Sequence, residues 1–83
     1  MKAVLKDTVT KFELALRGFY AHTLDYFIKK VNAELDIVVC FSTKEIKLLD
    51  VYDDDNGLDL SEDRYKNINV NLDDLIEWVY DND

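Results

Sequence analysis

Near the end of the chain, apolar residues recur at a helical spacing. Leu72, Leu75, Ile76 and Val79 stand at i, i+3, i+4 and i+7, behind an Asn71 suited to capping and with Asp73 and Asp74 in the first turn. The spacing predicts a helix over 72–81. At about 100° per residue, Asp73, Asp74, Glu77 and Asp81 then cluster opposite the apolar face, with Trp78 at its edge.

The middle of the chain reads differently. Residues 36–42 (DIVVCFS) are β-branched and aromatic, and residues 45–52 (EIKLLDVY) follow after Thr43-Lys44. This is a hairpin pattern over 36–52, with the first strand the more buried. Ser42 to Glu45 also matches a capping box, which would open a helix at Glu45. Val51 and Tyr52 prolong the β-type run into the polar turn Asp53 to Gly57, and this favours the strand. A shorter alternation, Ile68 and Val70 against Asn67 and Asn69, predicts a further strand at 66–70.

The first 33 residues fit two patterns. Leu5, Val9, Phe12, Leu16, Leu24, Phe27 and Val31 hold one helical phase, which one long helix over 4–33 would satisfy. Alternatively, Thr8-Val9-Thr10 is β-prone, Phe12, Leu14 and Leu16 alternate with charged residues, and Gly18 breaks the run. Thr23 would then cap a separate helix at 24–33. A lone hairpin makes a poor sheet, so a third strand at 8–17 is favoured. The expected class is therefore α+β: a small antiparallel sheet packed on a helix near 24–33 and a C-terminal helix at 72–81.

Length and composition narrow this further. The 83 residues leave room for one domain, and 48 % hydrophobic content with ten aromatics describes a packed globule rather than a disordered acidic segment. No apolar run is long enough to span a bilayer and the N-terminus lacks a signal-peptide pattern, so a cytoplasmic protein without membrane contact is expected. Cys40, the only cysteine, excludes an intrachain disulfide and reads as a buried, inert thiol.

Motifs of site chemistry are weak. Anchoring an EF-hand loop on Gly57 places Asp54 and Asn56 at ligand positions but Tyr52 at the first and Asp63 at the last, so the first ligand is missing and the bidentate Glu is shortened. A solvated turn explains the same residues. His22 has no nucleophile or acid at a catalytic spacing. Adjacent acids such as Glu62-Asp63 and Asp73-Asp74 stay ionised at a helix start, unlike a general acid in a cleft. Neither a phosphate loop nor a basic patch for nucleic acid is present. No cofactor or metal is expected, and no enzyme.

Charge is what remains. Residues 1–49 carry eight Lys or Arg against six acids, and residues 50–83 carry twelve acids against Arg64 and Lys66, giving +2 and −10. No Lys or Arg follows residue 66, and Asp81 and Asp83 oppose the dipole of the expected helix. Acid beside Tyr65, Trp78 and Tyr80 is an interface pattern. The residues expected to bind a partner are Asp53, Asp54, Asp55, Glu62, Asp63, Asp73, Asp74, Glu77 and Asp81, with Trp78 as anchor. Their spacing suits an electrostatic decoy, which occupies a Lys/Arg groove built for DNA or RNA. In size, charge and lack of an active site the chain is similar to small acidic inhibitors that phages deploy against nucleases, restriction enzymes or CRISPR effectors. The alternative is an interaction or assembly module that binds a partner chain, or itself in a homo-oligomer, through a sheet edge or an apolar helix face.

Overall fold

The computed structural model describes residues 1–52 and 57–80. It is α+β, with a five-stranded antiparallel sheet, a two-stranded sheet and two short helices. In chain order these are β1 (Lys2–Leu5), α1 (Lys11–Leu16), β2 (Tyr20–Ala21), β3 (Tyr26–Lys30), β4 (Leu35–Cys40), β5 (Ile46–Asp50), β6 (Leu58–Asp59), α2 (Glu62–Ile68) and β7 (Ile76–Val79). The larger sheet runs β2-β3-β4-β5-β6 and the smaller pairs β1 with β7. Backbone bonds join them: the Ala3 N–H donates to the Leu60 carbonyl (2.8 Å) and the Leu5 N–H to the Lys44 carbonyl (2.9 Å).

The expected hairpin forms as β4 and β5, in a register that sets Ile37 opposite Leu48 and Val39 opposite Ile46. These four side chains face one core with Ala3, Leu5, Leu14, Phe27, Leu60, Leu72 and Ile76. The rival capping box does not open a helix, because Ser42 is already taken. Its N–H and hydroxyl both donate to the Asp25 carboxylate, at 2.8 and 2.6 Å, and the chain turns over residues 41–44, with the Lys44 N–H donating to the Cys40 carbonyl, before entering β5.

The same motif, overlooked at Thr10-Lys11-Phe12-Glu13, does start a helix. The Glu13 N–H donates to Thr10 Oγ1 and the Thr10 N–H to Glu13 Oε1, both at 3.1 Å. Residues 8–17 are therefore not a strand. The alternation of Phe12, Leu14 and Leu16 reflects a helix that buries Leu14 and turns the other two outward. Lys29 stabilises its far end, donating from Nζ to the Arg17 carbonyl at 2.8 Å.

Three further expectations are corrected. The segment 24–33 holds the strand β3 (Tyr26–Lys30) rather than a helix, and a long helix over 4–33 is absent with it. Thr23 caps only a turn, its hydroxyl accepting from the Asp25 and Tyr26 N–H groups, after which Tyr26-Phe27-Ile28 pairs with β4. Residues 66–70 are not a strand: Ser61 caps α2 through the Arg64 N–H, and Asn69 ends it in the left-handed conformation (φ 55°).

The helix at 72–81 stops after one turn, in which the Leu75 and Ile76 N–H groups both donate to the Leu72 carbonyl. The chain then straightens into β7, whose Ile76 and Trp78 pair with Leu5 and Ala3 of β1. Pairing to β1, a strand hidden in the helical phase of the first residues, overrides the local preference. Gly57 makes the entry to β6 in the left-handed region (φ +84°), where a Cβ would lie 2.8 Å from the Leu48 carbonyl oxygen.

Candidate functional site

The residues expected to bind a partner divide into four groups. Asp53, Asp54, Asp55 and Asp81 lie outside the described residues, as do Asn56 and Asp83. Glu62 and Asp63 occupy the first turn of α2, where carboxylates suit the helix dipole. Asp73 and Asp74 sit in the turn before β7, and Glu77 and Trp78 follow within it. Successive residues of a strand point to opposite faces, so Glu77 looks away from the side on which Trp78 packs. The single acidic helix face therefore does not form. The acid is spread over α2, a turn and one strand.

The turn is held by Tyr65. Its hydroxyl donates to Asp73 Oδ1 at 2.8 Å and accepts from the Leu72 N–H at 2.7 Å, while its ring meets Trp78 edge-on with centroids 5.6 Å apart. Burial pushes the phenol above its ordinary pKa, and the charge and hydrogen bond of Asp73 add to this against the opposing Leu72 bond. Trp78 is half-buried against the core, which makes it a packing residue as well as an edge aromatic.

Some of this acid is compensated from an unexpected place. Arg17, at the end of α1, donates from NH2 to the Asn71 carbonyl (2.6 Å), and its NH1 lies 3.6 Å from Asp74 Oδ2. Sequence spacing within the C-terminal segment could not reveal a cation 57 positions away. The N-terminal amine lies 3.9 Å from Glu62, a distance and exposure at which an ion pair contributes little. Asp63 and Glu77 have no ion-pair partner among the described residues. Across residues 58–80 six acids face two bases.

A second region was missed altogether. On the outer face of the larger sheet, Tyr26, Val38, Cys40, Thr43, Glu45, Lys47 and Leu49 line a concavity of about 410 Å³. Cys40 is buried as expected but partnered, its Sγ lying 3.1 Å from Asp25 Oδ2. Asp25 is thus the centre of a clamp between the β2–β3 turn and the end of β4. The Ser42 hydroxyl first, then the Cys40 thiol, hold its carboxyl below its ordinary pKa against a small opposing effect of burial.

A carboxylate with a lowered pKa is a weak base, and His22 is exposed, with its backbone N–H donating to the Tyr26 carbonyl. Among the described residues no group of three or more acid, His or Cys side chains is arranged to hold a metal ion, and no helix is long and apolar enough to cross a membrane.

No protein-family model matches the chain, and neither a curated protein nor a solved structure matches it.

Proposed function

We propose that this protein acts by binding, as a small acidic inhibitor that occupies a basic, nucleic-acid-binding surface of a partner protein. The observation that carries the reading is the carboxylate excess of residues 58–80 on a chain of net charge −8: Asp59 meets Lys2 and Lys47, Asp74 meets Arg17 and Glu62 lies near the N-terminal amine, but Asp63, Asp73 and Glu77 have no ion-pair partner among the described residues. A field of one sign steers a partner of the other sign and accelerates encounter. In this reading Glu62, Asp63, Asp73 and Glu77 contact the partner, whereas Asp74 mainly restrains Arg17. An anti-defence role against a nuclease is one form such inhibition takes.

The test is capture from a host lysate at low salt followed by a salt gradient. The captured protein should elute well below half-molar salt, and it should lose its own nucleic-acid binding when this chain is added. The variant Glu62→Lys, Asp63→Lys, Glu77→Lys should capture nothing. Retention through half-molar salt, or undiminished capture by that variant, would refute the reading.

A further inference from the structure

The concavity on the outer face of the larger sheet is built by three neighbouring strands. Tyr26 stands opposite Cys40, and Val38 opposite Lys47, so β3, β4 and β5 present these side chains together on the face away from the core. Leu49 follows Lys47 by two residues and shares that face. Val38 and Leu49, both half-buried, and the Tyr26 ring give apolar walls to about 410 Å³, a volume suited to a small organic molecule.

Charge narrows the occupant. Glu45 lines the concavity and has no ion-pair partner among the described residues. Lys47 lines it too, but its Nζ lies 3.7 Å from Asp59 Oδ1 on β6, which offsets its charge. Lys44 and Lys11 point elsewhere: their Nζ atoms stand 4.0 and 5.3 Å from the centroid of the Phe41 ring, which packs against Phe27 on the core side. Behind Cys40 lies the Asp25 carboxylate, with Oδ2 3.1 Å from Sγ. The Tyr26 phenol registers this field. Cys40 first, with burial and the Asp25 and Glu45 charges adding to it, holds the phenol above its ordinary pKa.

We propose that this concavity binds a small organic cation, an amine carried on a flat apolar body. The ammonium meets the Glu45 carboxylate and the face of the Tyr26 ring, while the body lies on Val38 and Leu49. An anion of the same shape is repelled by Glu45, and a neutral molecule gains nothing from it, so charge sets the selectivity. Glu62, Asp63, Asp73 and Glu77, assigned above to the inhibitory surface, take no part. The two proposals therefore stand or fall separately.

Titration of the isotope-labelled chain followed by NMR tests the proposal, with phenethylamine as the probe and hydrocinnamate and phenethyl alcohol as its anionic and neutral counterparts. Phenethylamine should shift the amides of Tyr26, Val38, Glu45 and Lys47 and saturate below about 10 mM, binding at least about tenfold more tightly than either counterpart. Glu45→Gln should weaken amine binding by about tenfold and leave the fold intact, because the side chain stands at the exposed rim. Glu34→Gln removes the same charge from the turn before β4 and should leave binding unchanged, which separates a local contact from the general attraction of a chain of net charge −8. Absence of saturation, equal binding of either counterpart, undiminished binding by Glu45→Gln, or an equal loss in Glu34→Gln would overturn the proposal.

Discussion

Residues 11–26 and residues 58–80 present opposite kinds of surface. The first is formally neutral and leaves Phe12, Leu16, Tyr20, Leu24 and Tyr26 exposed, whereas the second carries six acids against two bases and is mostly packed beneath them. Even their carboxylates differ. Glu13 and Asp25 are each tied into a local structure, a cap and a clamp, while Asp63 and Glu77 are bound to nothing charged among the described residues. Charge is conspicuous in a sequence because it can be counted. An outward apolar face can be recognised only once the helix carrying it has a phase relative to the core.

The sharpest way to break the comparison is to make the same substitution on each side of α1. Leu14→Ala removes a fully buried side chain and should cost about 2 to 5 kcal/mol, near the entire margin of a domain this small. Leu16→Ala, two residues on, should change stability by no more than about 0.5 kcal/mol in either direction, because the side chain is exposed and alanine is an equally good helix former. Urea unfolding of the two variants gives the answer. Comparable losses would mean that Leu16 is also part of the fold.

That pair of leucines also shows what the sequence could and could not convey. The hairpin was legible because β4 is buried on both sides of its middle, which produces an unbroken β-branched run that no helix pattern imitates. The helices were misplaced because short apolar spacings fit two periods at once. Phe12, Leu14 and Leu16 read as alternation, and Leu72, Leu75, Ile76 and Val79 as a helical stripe. In the first case the deciding signal was present, the Thr10–Glu13 capping box. In the second it lay far back in the chain, in the need of β1 (Lys2–Leu5) for a strand partner. The candidate site was legible as a count of acid but not as a surface, since Glu77 and Trp78 fall on opposite faces of a strand and Asp74 finds Arg17 across the fold.

A smaller effect is expected within the acidic region, where Tyr65 decides whether the turn bearing Asp73 keeps its shape. Tyr65→Phe preserves the ring contact with Trp78 but removes the acceptor of the Leu72 N–H and the donor to Asp73. A half-buried amide left without its partner costs about 1 to 3 kcal/mol. Thermal unfolding should show that loss, and fast exchange of the Leu72 amide should accompany it. If the acidic surface is the binding surface, affinity for a captured partner should fall as well. Wild-type stability in this variant would show that water replaces the hydroxyl and that the turn owes its shape to Leu72 and Leu75 alone.

The smallest effect concerns Asp25, on the neutral side. Its folded-state pKa is depressed, so the stabilisation it provides is fully present above its ordinary value of 3.8 and is lost as pH falls through the lower, folded value. Below its pI near 4.4 the chain is net positive, and growing repulsion among its bases also destabilises the fold as pH falls. Wild-type stability alone therefore cannot isolate the clamp. Comparison with Asp25→Asn does, because asparagine retains an acceptor for the Ser42 N–H but carries no charge to lose. The melting temperature of the wild type should exceed that of Asp25→Asn at pH 7, and the difference should shrink below about pH 4. A difference that stays constant to pH 2 would mean that the Cys40 and Ser42 contacts do not depend on the ionised carboxylate. The neutral region would then be held by packing.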